Sequence, residues 1–489
     1  MKKKHFLQSF VVFTLLSIII SAPGMAQWHV QSTPPDVNML LSTSFVNEHH
    51  GVAAGWAGFF IGKIIYTTNG GELWQSAQLP ESTRSCVTVC FPDTNIGYIA
   101  GAYNLPTTMK AIALEFPRLG VRTMEERSKR NRGYELGIVR GDSIGYRGYF
   151  LKTTDGGSSW RPRGTLPDFV TYLIGGCFID TSYGFVTYDA QDSGFSGILK
   201  TTNGGNTWSE SYRVHSFDAF RSIYFLDSLN GIAVGTKSVD SVTSDGIIVR
   251  THDGGATWTD EDSPGLHFPD VYLNSSSEYL VGDSATRSFV LKGDAAGFIW
   301  SMPVQMSNTL LHGIRFVKGT DIGIVFGEKI QGQVLSPFII KTIDGGSTWQ
   351  AQDVDSLSDV YLAAGQLLNE NVGFICGQSS GQALVLHTTN GGVSSAPDRT
   401  IKPTYELSQN YPNPFNPSTT IRFTVPELGF VSLKIFNILG VEIATLVSEQ
   451  LAPGSYSKQW NGSEFASGVY YYRLQAGTYI ETRKLLLIK

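Results

Sequence analysis

The sequence predicts an all-β protein in which a seven-bladed β-propeller precedes a small β-sandwich. Three observations predict this fold class. A turn phrase, Thr-x-Asp/Asn-Gly-Gly-x-x-Trp, recurs along the chain; a second phrase of strand end, polar turn and new strand runs ahead of the copies; and the pattern changes near residue 407. Repeats of forty or so residues with several short strands are typical of propeller blades, since one four-stranded sheet cannot bury both its faces alone.

Residues 1–26 predict a secretory signal peptide. Three lysines (residues 2–4) precede an apolar run from Phe10 to Ile20, and small residues end at Ala26, after which we expect cleavage. The run is too short to span a bilayer, so we expect no transmembrane segment in the mature chain. Cleavage changes the formal charge from −5 to −8, because three lysines leave with the peptide. An acidic exported protein has no general attraction to nucleic acid.

The sequence gives no sign of a disulfide scaffold or of a metal site. Four cysteines are too few for a disulfide-built scaffold in 489 residues. Cys86 and Cys90 stand on one predicted strand about 13 Å apart, which is too far for a bond, so we interpret them as small buried side chains. The sequence shows no metal-ligand spacing, phosphate loop or Gly-x-Ser-x-Gly motif. We therefore expect no cofactor, no metal and no catalytic residue from these motifs.

The turn phrases predict where the hairpins of the propeller lie. Complete copies begin at Thr67, Thr153, Thr201, Thr251 and Thr342, a decayed copy spans residues 292–300, and a clipped copy, TTNGGVSS, spans 388–395. The Asp or Asn bonds to its own turn, the glycines supply positive φ, and the tryptophan begins the next strand. The predicted turn residues are Asn69, Asp155, Asn203, Asp253, Asp344 and Asn390. These repeats place the propeller over residues 27–393.

The clipped copy lacks the tryptophan that ends the others. The mature chain starts QWHVQSTP, which is similar to the segment that begins at the tryptophan of a complete turn phrase, such as WQSAQLP at 74–80. A propeller must close its ring, and the first strand of the chain can complete the last blade. We predict that Trp28 is the missing tryptophan and that residues 27–33 pair with the blade of residues 358–392. The alternative is that the seventh repeat has decayed.

Blade 2 carries an insertion, which the spacing places at about residues 104–147. The second phrase recurs at about 46 residues except between blades 2 and 3, where the interval is nearly twice that. In residues 118–135 of the insertion the basic side chains, which include Arg127 and Arg130, outnumber the acidic ones. Positive charge on a loop of an acidic protein can bind an anionic partner, so both arginines are candidates. A solvated surface loop or short helix is the alternative.

The C-terminal part is a separate unit. Residues 394–406 are polar and contain proline, which is typical of a linker, and residues 407–489 show short alternating segments that predict an antiparallel Ig-like sandwich. The order NYPNPFNPSTTIRF, LKIFNILGVEIATL, LAPGSYSKQWNG, ASGVYYYRL and KLLLIK resembles the type A C-terminal sorting domain (Por secretion tail) of type IX secretion cargo. The resemblance implies export by way of the periplasm to the cell surface or the medium, handling by the type IX machinery, and in many cases removal of this domain.

The propeller resembles two further groups. Its turn phrase is similar to the Asp-box (BNR repeat) of sialidases and related propellers, and the seven repeats resemble the photosystem II assembly factor family. The residues of this phrase serve the turn, so they indicate fold rather than reaction.

An alignment of the seven innermost strands tests for an active site. Their shared apolar ends are Phe45, Phe91, Phe178, Phe225, Leu273, Phe316 and Leu367. Three residues earlier stand mostly small residues: Ser42, Thr88, Gly175, Ser222, Asp270, Gly313 and Ala364. Four earlier stand mostly apolar residues, which we expect to pack between blades: Leu41, Val87, Ile174, Arg221, Pro269, His312 and Ala363. Neither column holds the converging arginines of a sialidase or the carboxylate pair of a glycosidase.

These observations favour an exported, non-enzymatic binding module with a glycan or an envelope protein as its ligand. The polar residues closest to the predicted channel are Arg84, Arg221, Asp270 and His312, although a structural role is an alternative for each. A glycan hydrolase of sialidase or xyloglucanase type is the main rival, with loop acids at Asp36, Asp260, Glu261, Asp262 or Asp359. An envelope assembly factor is the third hypothesis.

Overall fold

The computed structural model describes residues 28–489 except 59, 82, 105–145, 191–193, 216–219, 239–243, 262–265, 276, 285–286, 295–299, 393–399, 402–404, 427 and 453. Within these residues all regular elements are β-strands. The predicted signal peptide and the candidates Arg127 and Arg130 lie outside them.

Seven antiparallel sheets follow one another along the first part of the chain. Blade 1 consists of β2 (Met39–Phe45), β3 (Gly51–Ala57), β4 (Ile61–Thr67) and β5 (Gln75–Ser76). Blade 2 consists of β6 (Cys86–Cys90), β7 (Gly97–Asn104), β8 (Tyr146–Thr153) and β9 (Arg161–Pro162). Blade 3 consists of β10 (Tyr172–Phe178), β11 (Gly184–Ala190), β12 (Phe195–Thr201) and β13 (Ser209–Val214). Blade 4 consists of β14 (Phe220–Phe225), β15 (Gly231–Ser238), β16 (Ser244–Thr251) and β17 (Thr259–Glu261).

The remaining blades complete the ring. Blade 5 consists of β18 (His267–Leu273), β19 (Ser277–Ser284), β20 (Arg287–Asp294) and β21 (Trp300–Ser307). Blade 6 consists of β22 (Thr309–Phe316), β23 (Gly323–Gln331), β24 (Val334–Thr342) and β25 (Trp349–Ala351), with β29 (Thr400–Ile401) added to its outer edge. Blade 7 consists of β26 (Val360–Leu367), β27 (Gly373–Ser379), β28 (Gln382–Thr388) and the first strand, β1 (His29–Gln31).

The innermost strands form a closed circle, in which β2, β6, β10, β14, β18, β22 and β26 each contact the next and β26 contacts β2. The apolar end of each inner strand packs on the preceding blade. Phe45 stacks on Phe374 of blade 7 with ring centroids 3.7 Å apart, and Phe225 stacks on Phe185 of blade 3 at 3.9 Å. The prediction of a seven-bladed propeller followed by a β-domain is therefore confirmed.

The turn phrases fold alike wherever they are complete. In blade 4, Thr251 Oγ1 donates to Asp253 Oδ1 at 2.9 Å and accepts from Gly255 N at 2.8 Å. Both glycines of each pair have φ between 66° and 97°, a region in which a side chain would be strained. The hydroxyl and N–H of Thr257 hold the pKa of Asp253 down to about 2. Equivalent bonds from threonine to Asp or Asn occur at Asn69, Asp155, Asn203, Asp344 and Asn390.

Both ends of the propeller chain are held by the outer segment of blade 6. β1 pairs with β28 of blade 7, with His29 opposite His387, while Trp28 N donates to Asp353 O at 3.1 Å. Trp28 is fully buried among side chains of blades 6 and 7. On the same segment, β29 pairs with β25, with Ile401 opposite Trp349. The first and last described parts of the propeller thus meet on residues 349–355.

The C-terminal domain consists of two sheets that share one apolar core. Its strands are β30 (Glu406–Leu407), β31 (Ser418–Val425), β32 (Gly429–Phe436), β33 (Glu442–Leu451), β34 (Gly454–Asn461), β35 (Gly468–Ala476) and β36 (Tyr479–Leu487). One sheet has the order β30-β31-β34 and the other β33-β32-β35-β36. The Asn-Pro-Phe-Asn loop covers the free edge of β36, since Phe415 N donates to Leu486 O at 2.9 Å and Leu486 N donates to Asn413 Oδ1 at 2.8 Å. This loop leaves fewer backbone groups of the last strand unpaired.

Removing the Trp28 side chain should destabilise the ring. Because this indole is fully buried at the junction of blades 6 and 7, we expect Trp28→Ala to cost about 3 to 5 kcal/mol of unfolding free energy. Val30→Ala on the same strand, where the side chain is 44% exposed, should cost under about 1 kcal/mol. Urea denaturation of both variants measures this, and equal losses would contradict a closing role for Trp28.

The closing strand should also be weakened by acid through His387. Its ring stacks on Phe374 with centroids 4.2 Å apart, and its Nδ1 lies 3.1 Å from Gln31 Nε2. Burial, followed by the charge of His29, lowers the pKa of His387 below its ordinary value. The unfolded chain therefore takes up this proton more readily, so stability falls as the pH drops through the usual histidine range near 6.5 and below. Between about pH 7.5 and pH 5.5, urea midpoints of the native chain should fall more than those of His387→Phe; parallel curves would refute this role.

Candidate functional site

A β-bulge occurs at the same register in all seven innermost strands. One bulge residue from each forms what we call the mouth ring: Leu41, Val87, Ile174, Arg221, Pro269, His312 and Ala363. The first and third strands of a blade run parallel, so the ends of the inner strands lie on the face of the turn phrases. The bulges, which come earlier in the inner strands, therefore lie nearer the opposite face. Bulges re-aim side chains and are frequent beside functional sites.

The structure differs from the expectation that this column packs between blades. Only Val87 is buried, and the other six keep partial exposure, because the bulge turns them out of the regular pleat. Leu41, Val87 and Ile174 pack against one another with Tyr172, which makes an apolar crescent on blades 1 to 3.

Arg221 continues the crescent on blade 4. A Cβ built on Gly175, the residue after Ile174, would lie 3.2 Å from the Arg221 carbonyl oxygen, so the two bulges adjoin. Arg221 is half-buried. Toward the other described residues its guanidinium makes no hydrogen bond or ion pair. The mouth ring therefore places Arg221 next to the apolar crescent in the ring.

Asp270 and His312 are held by neighbouring blades. Asp270 is 4% exposed; its Oδ1 accepts from the Ser222 hydroxyl at 2.7 Å, its Oδ2 accepts from Ile314 N at 3.0 Å, and it pairs with Arg315. Asp270 thus ties blades 4, 5 and 6 together.

Glu328 has a similar linking role between blades 6 and 7. It is fully buried, bonds His312 Nε2 at 2.6 Å and accepts from Leu362 N at 2.6 Å. Both inner carboxylates serve blade contacts, which is the structural alternative for Asp270. His312 remains half-buried on the mouth ring beside Tyr361, with ring centroids 4.8 Å apart.

Sequence reasoning missed a second ring, one residue before the shared apolar ends. It comprises Ser44, Cys90, Cys177, Tyr224, Tyr272, Arg315 and Gln366. Several of these side chains reach the next blade: the Ser44 hydroxyl accepts from Phe91 N at 3.1 Å, and Gln366 Oε1 accepts from Phe45 N at 2.7 Å. Tyr224 and Tyr272 touch, with centroids 4.9 Å apart, and desolvation raises the pKa of Tyr272. In each inner strand a residue with a polar atom or a thiol directly precedes the apolar end. This repeated pair was the signal that could have revealed the second ring.

The remaining candidates are scattered. Arg84 lies between blades 1 and 2, where its Nη1 donates to the Thr83 carbonyl at 3.2 Å. Of the rival acids, Asp36 pairs with Lys63, Asp260 accepts from the Tyr212 hydroxyl, Glu261 pairs with Arg250, and Asp359 is exposed with φ 52°. Asp262 lies outside the described residues.

A lysine directly ahead of two of the turn phrases links neighbouring blades. Lys200 Nζ donates to the carbonyl of Gly254 in the next turn at 2.8 Å, and Lys341 Nζ donates to that of Gly391 at 2.8 Å. The next turn after Arg250 is the decayed copy of blade 5, which has no Gly-Gly pair.

Arg250 instead pairs with Glu261 and Glu278, which replace that carbonyl acceptor. Arg250 and Glu278 are each 6% exposed and line a pocket of about 220 Å³ between blades 4 and 5. Among the described residues no group of histidine, cysteine and acidic side chains could hold a metal ion.

The C-terminal domain provides the clearest comparison with known proteins. Residues 409–489 match the family described as the secretion system C-terminal sorting domain. The chain carries a type IX secretion sorting domain at its C-terminus. It is exported by way of the periplasm and is secreted or attached to the outer-membrane surface. In the part of the chain that the structure describes, no helix is long and apolar enough to span a membrane.

Solved structures with a similar fold are propellers of low sequence identity. The GH74 enzyme of Niastella koreensis is 11% identical, with a TM-score of 0.52, covering 93% of this chain and 74% of that one. YCF48 bound to D1 peptide is 15% identical, with a TM-score of 0.47, and the match covers 74% of this chain and 97% of that one. PorZ of Porphyromonas gingivalis is 14% identical, with a TM-score of 0.46, and the match covers 92% of this chain and 59% of that one. At 11% identity the similarity to the GH74 enzyme supports the fold alone. The search of curated proteins found no match.

The ion cluster of blade 5 should be essential for stability. Arg250→Ala leaves the buried carboxylate of Glu278 without its cation, so we expect a loss of about 3 to 5 kcal/mol of unfolding free energy. Lys63→Ala breaks the ion pair with the 55% exposed Asp36 and should cost under about 1 kcal/mol. Chemical denaturation compares the two variants, and similar small losses would show that Arg250 does not replace the turn contact.

Proposed function

We propose that the propeller is an exported, non-enzymatic binding module that receives its ligand at the mouth ring. The observation that carries this proposal is the repeated bulge, which sets six partly exposed side chains and the buried Val87 around the axis. A pocket that joins apolar side chains to a few polar groups is the usual form of a binding site.

The composition of the mouth ring suggests the chemistry of the ligand. Leu41 and Ile174, which pack on the buried Val87, offer an apolar surface. The adjoining Arg221 offers a guanidinium, a group that recognises carboxylate or sulfate. A ligand with an anionic group beside an apolar face fits this arrangement. An acidic sugar and an acidic peptide of an envelope protein both meet that requirement.

The inner carboxylates give little support to a hydrolase. Asp270 and Glu328 are each under 5% exposed and hold neighbouring blades, so neither can flank a sugar bond without breaking the ring. A hydrolase would therefore depend on loop acids such as Asp359.

One experiment separates these functions. The purified full chain is tested on an array of acidic and neutral polysaccharides, sialosides and acidic peptides, and each spot is read for retention and released sugar. Retention without release is expected. Arg221→Ala should weaken it about tenfold or more, because a charge-assisted contact is lost. Arg84→Ala, a matched arginine away from the mouth ring, should leave retention unchanged.

Two outcomes would refute the proposal. Sugar release that disappears with Asp359→Asn would make the protein a hydrolase. Equal losses for Arg221→Ala and Arg84→Ala would show that binding lies away from the mouth ring.

A further inference from the structure

Exposed apolar side chains are concentrated in the sorting domain. Nine of the sixteen large apolar side chains that are exposed in the described residues lie after residue 410. Those of the propeller are distributed over several blades, as is ordinary for a soluble surface. In the sorting domain, three of the nine belong to one turn.

This turn, which we call the tip turn, spans Asn437 to Val441 between β32 and β33. Ile438 is 71% exposed, Leu439 81% and Val441 55%. Polar residues usually occupy such positions, because they bond to the turn backbone and to water. The tip turn therefore presents to solvent an unusual group of apolar side chains.

The backbone of the tip turn is satisfied internally. Asn437 Oδ1 accepts from Leu439 N and from Val441 N at 3.0 Å each. Asn437 N donates to Val441 O at 3.0 Å, and Gly440, with φ 77°, donates to Asn437 O at 3.0 Å. The shape of the turn thus comes from Asn437 and Gly440, so the three apolar side chains are not needed to form it.

Among the described residues, the strand contacts between the propeller and the sorting domain lie away from the tip turn. The propeller lies against the sorting domain through β21 and β34, and β34 belongs to the other sheet. The adjoining Lys434 and Glu442 pair with each other at 2.8 Å, so the base of the hairpin presents a neutralised pair of charges. Apolar groups held in a fixed, uncovered position are characteristic of a contact surface.

We propose that the tip turn docks into an apolar pocket of the type IX secretion machinery. The family match indicates this partner, since residues 409–489 are the part of the chain that the type IX machinery handles. A preformed turn loses little conformational entropy on binding, so three apolar side chains suffice for a useful contact. This inference is independent of the ligand at the mouth ring.

The test is secretion of the full chain by a bacterium that has the type IX pathway. Ile438→Ser, Leu439→Ser and Val441→Ser are combined in one variant, and the protein is quantified in the medium, on the surface and in the periplasm. We expect the exported fraction to fall about tenfold or more, with accumulation in the periplasm, because apolar burial at the pocket is lost. The melting temperature of the purified variant should be unchanged, since these side chains are outside the core.

Matched controls distinguish docking from a general loss of apolar surface. Leu428→Ser combined with Phe430→Ser removes side chains that are 68% and 57% exposed at the other end of β32 and should leave secretion at the native level. Leu439→Met retains an apolar side chain and should also be secreted normally. If the triple variant is degraded, the secreted fractions of Leu439→Ser and Leu439→Met are compared instead. Docking predicts that only the serine variant is secreted less than the native chain. Native secretion of the serine variants, or an equal loss in the Leu428 and Phe430 control, would overturn the proposal.

Discussion

The closure of the ring is the constraint on which the rest of the propeller depends. Each blade buries its faces only against two neighbours, so a linear row of sheets would leave its first and last faces in water. The pairing of β1 with β28 and the burial of Trp28 remove that exposed end. The stacking of Phe45 of blade 1 on Phe374 of blade 7 requires the circle to be complete.

Many of the polar side chains near the axis form hydrogen bonds between neighbouring blades. Serine hydroxyls, Asp270, Glu328 and Gln366 all bond backbone groups of a neighbouring blade. A buried polar group is costly unless it is bonded, so these side chains are fixed by the seams they stabilise. The bulge residues leave the regular pleat, so most of their side chains are not needed to bond the neighbouring blade. The residue types of the mouth ring can therefore vary without loss of these contacts.

Much of the fold follows from the sequence because its signals are local. Thr-x-Asp/Asn-Gly-Gly specifies a turn by bonds within five residues, and Trp28 stands in a phrase that matches the outer strands of other blades. The bulges could not be foreseen from spacing, since the extra residue recurs in all seven strands and leaves the alignment of columns unchanged. The pairing of Arg250 with Glu261 and Glu278 also could not be foreseen, because it depends on a turn missing from the next blade. Likewise, the exposure of Leu439 could not be foreseen, because it depends on the packing of two sheets.

The double attachment on residues 349–355 has a mechanical consequence. Where the sorting domain is the point of attachment to a surface, tension on the protein enters the propeller through β29 and passes first to β25. The adjoining residues Asp353 and Asp355 bond the backbone of Trp28, so the load reaches the ring junction without crossing blades 1 to 5. The load that enters through β29 is therefore carried first by a few strands beside the seam between blades 6 and 7.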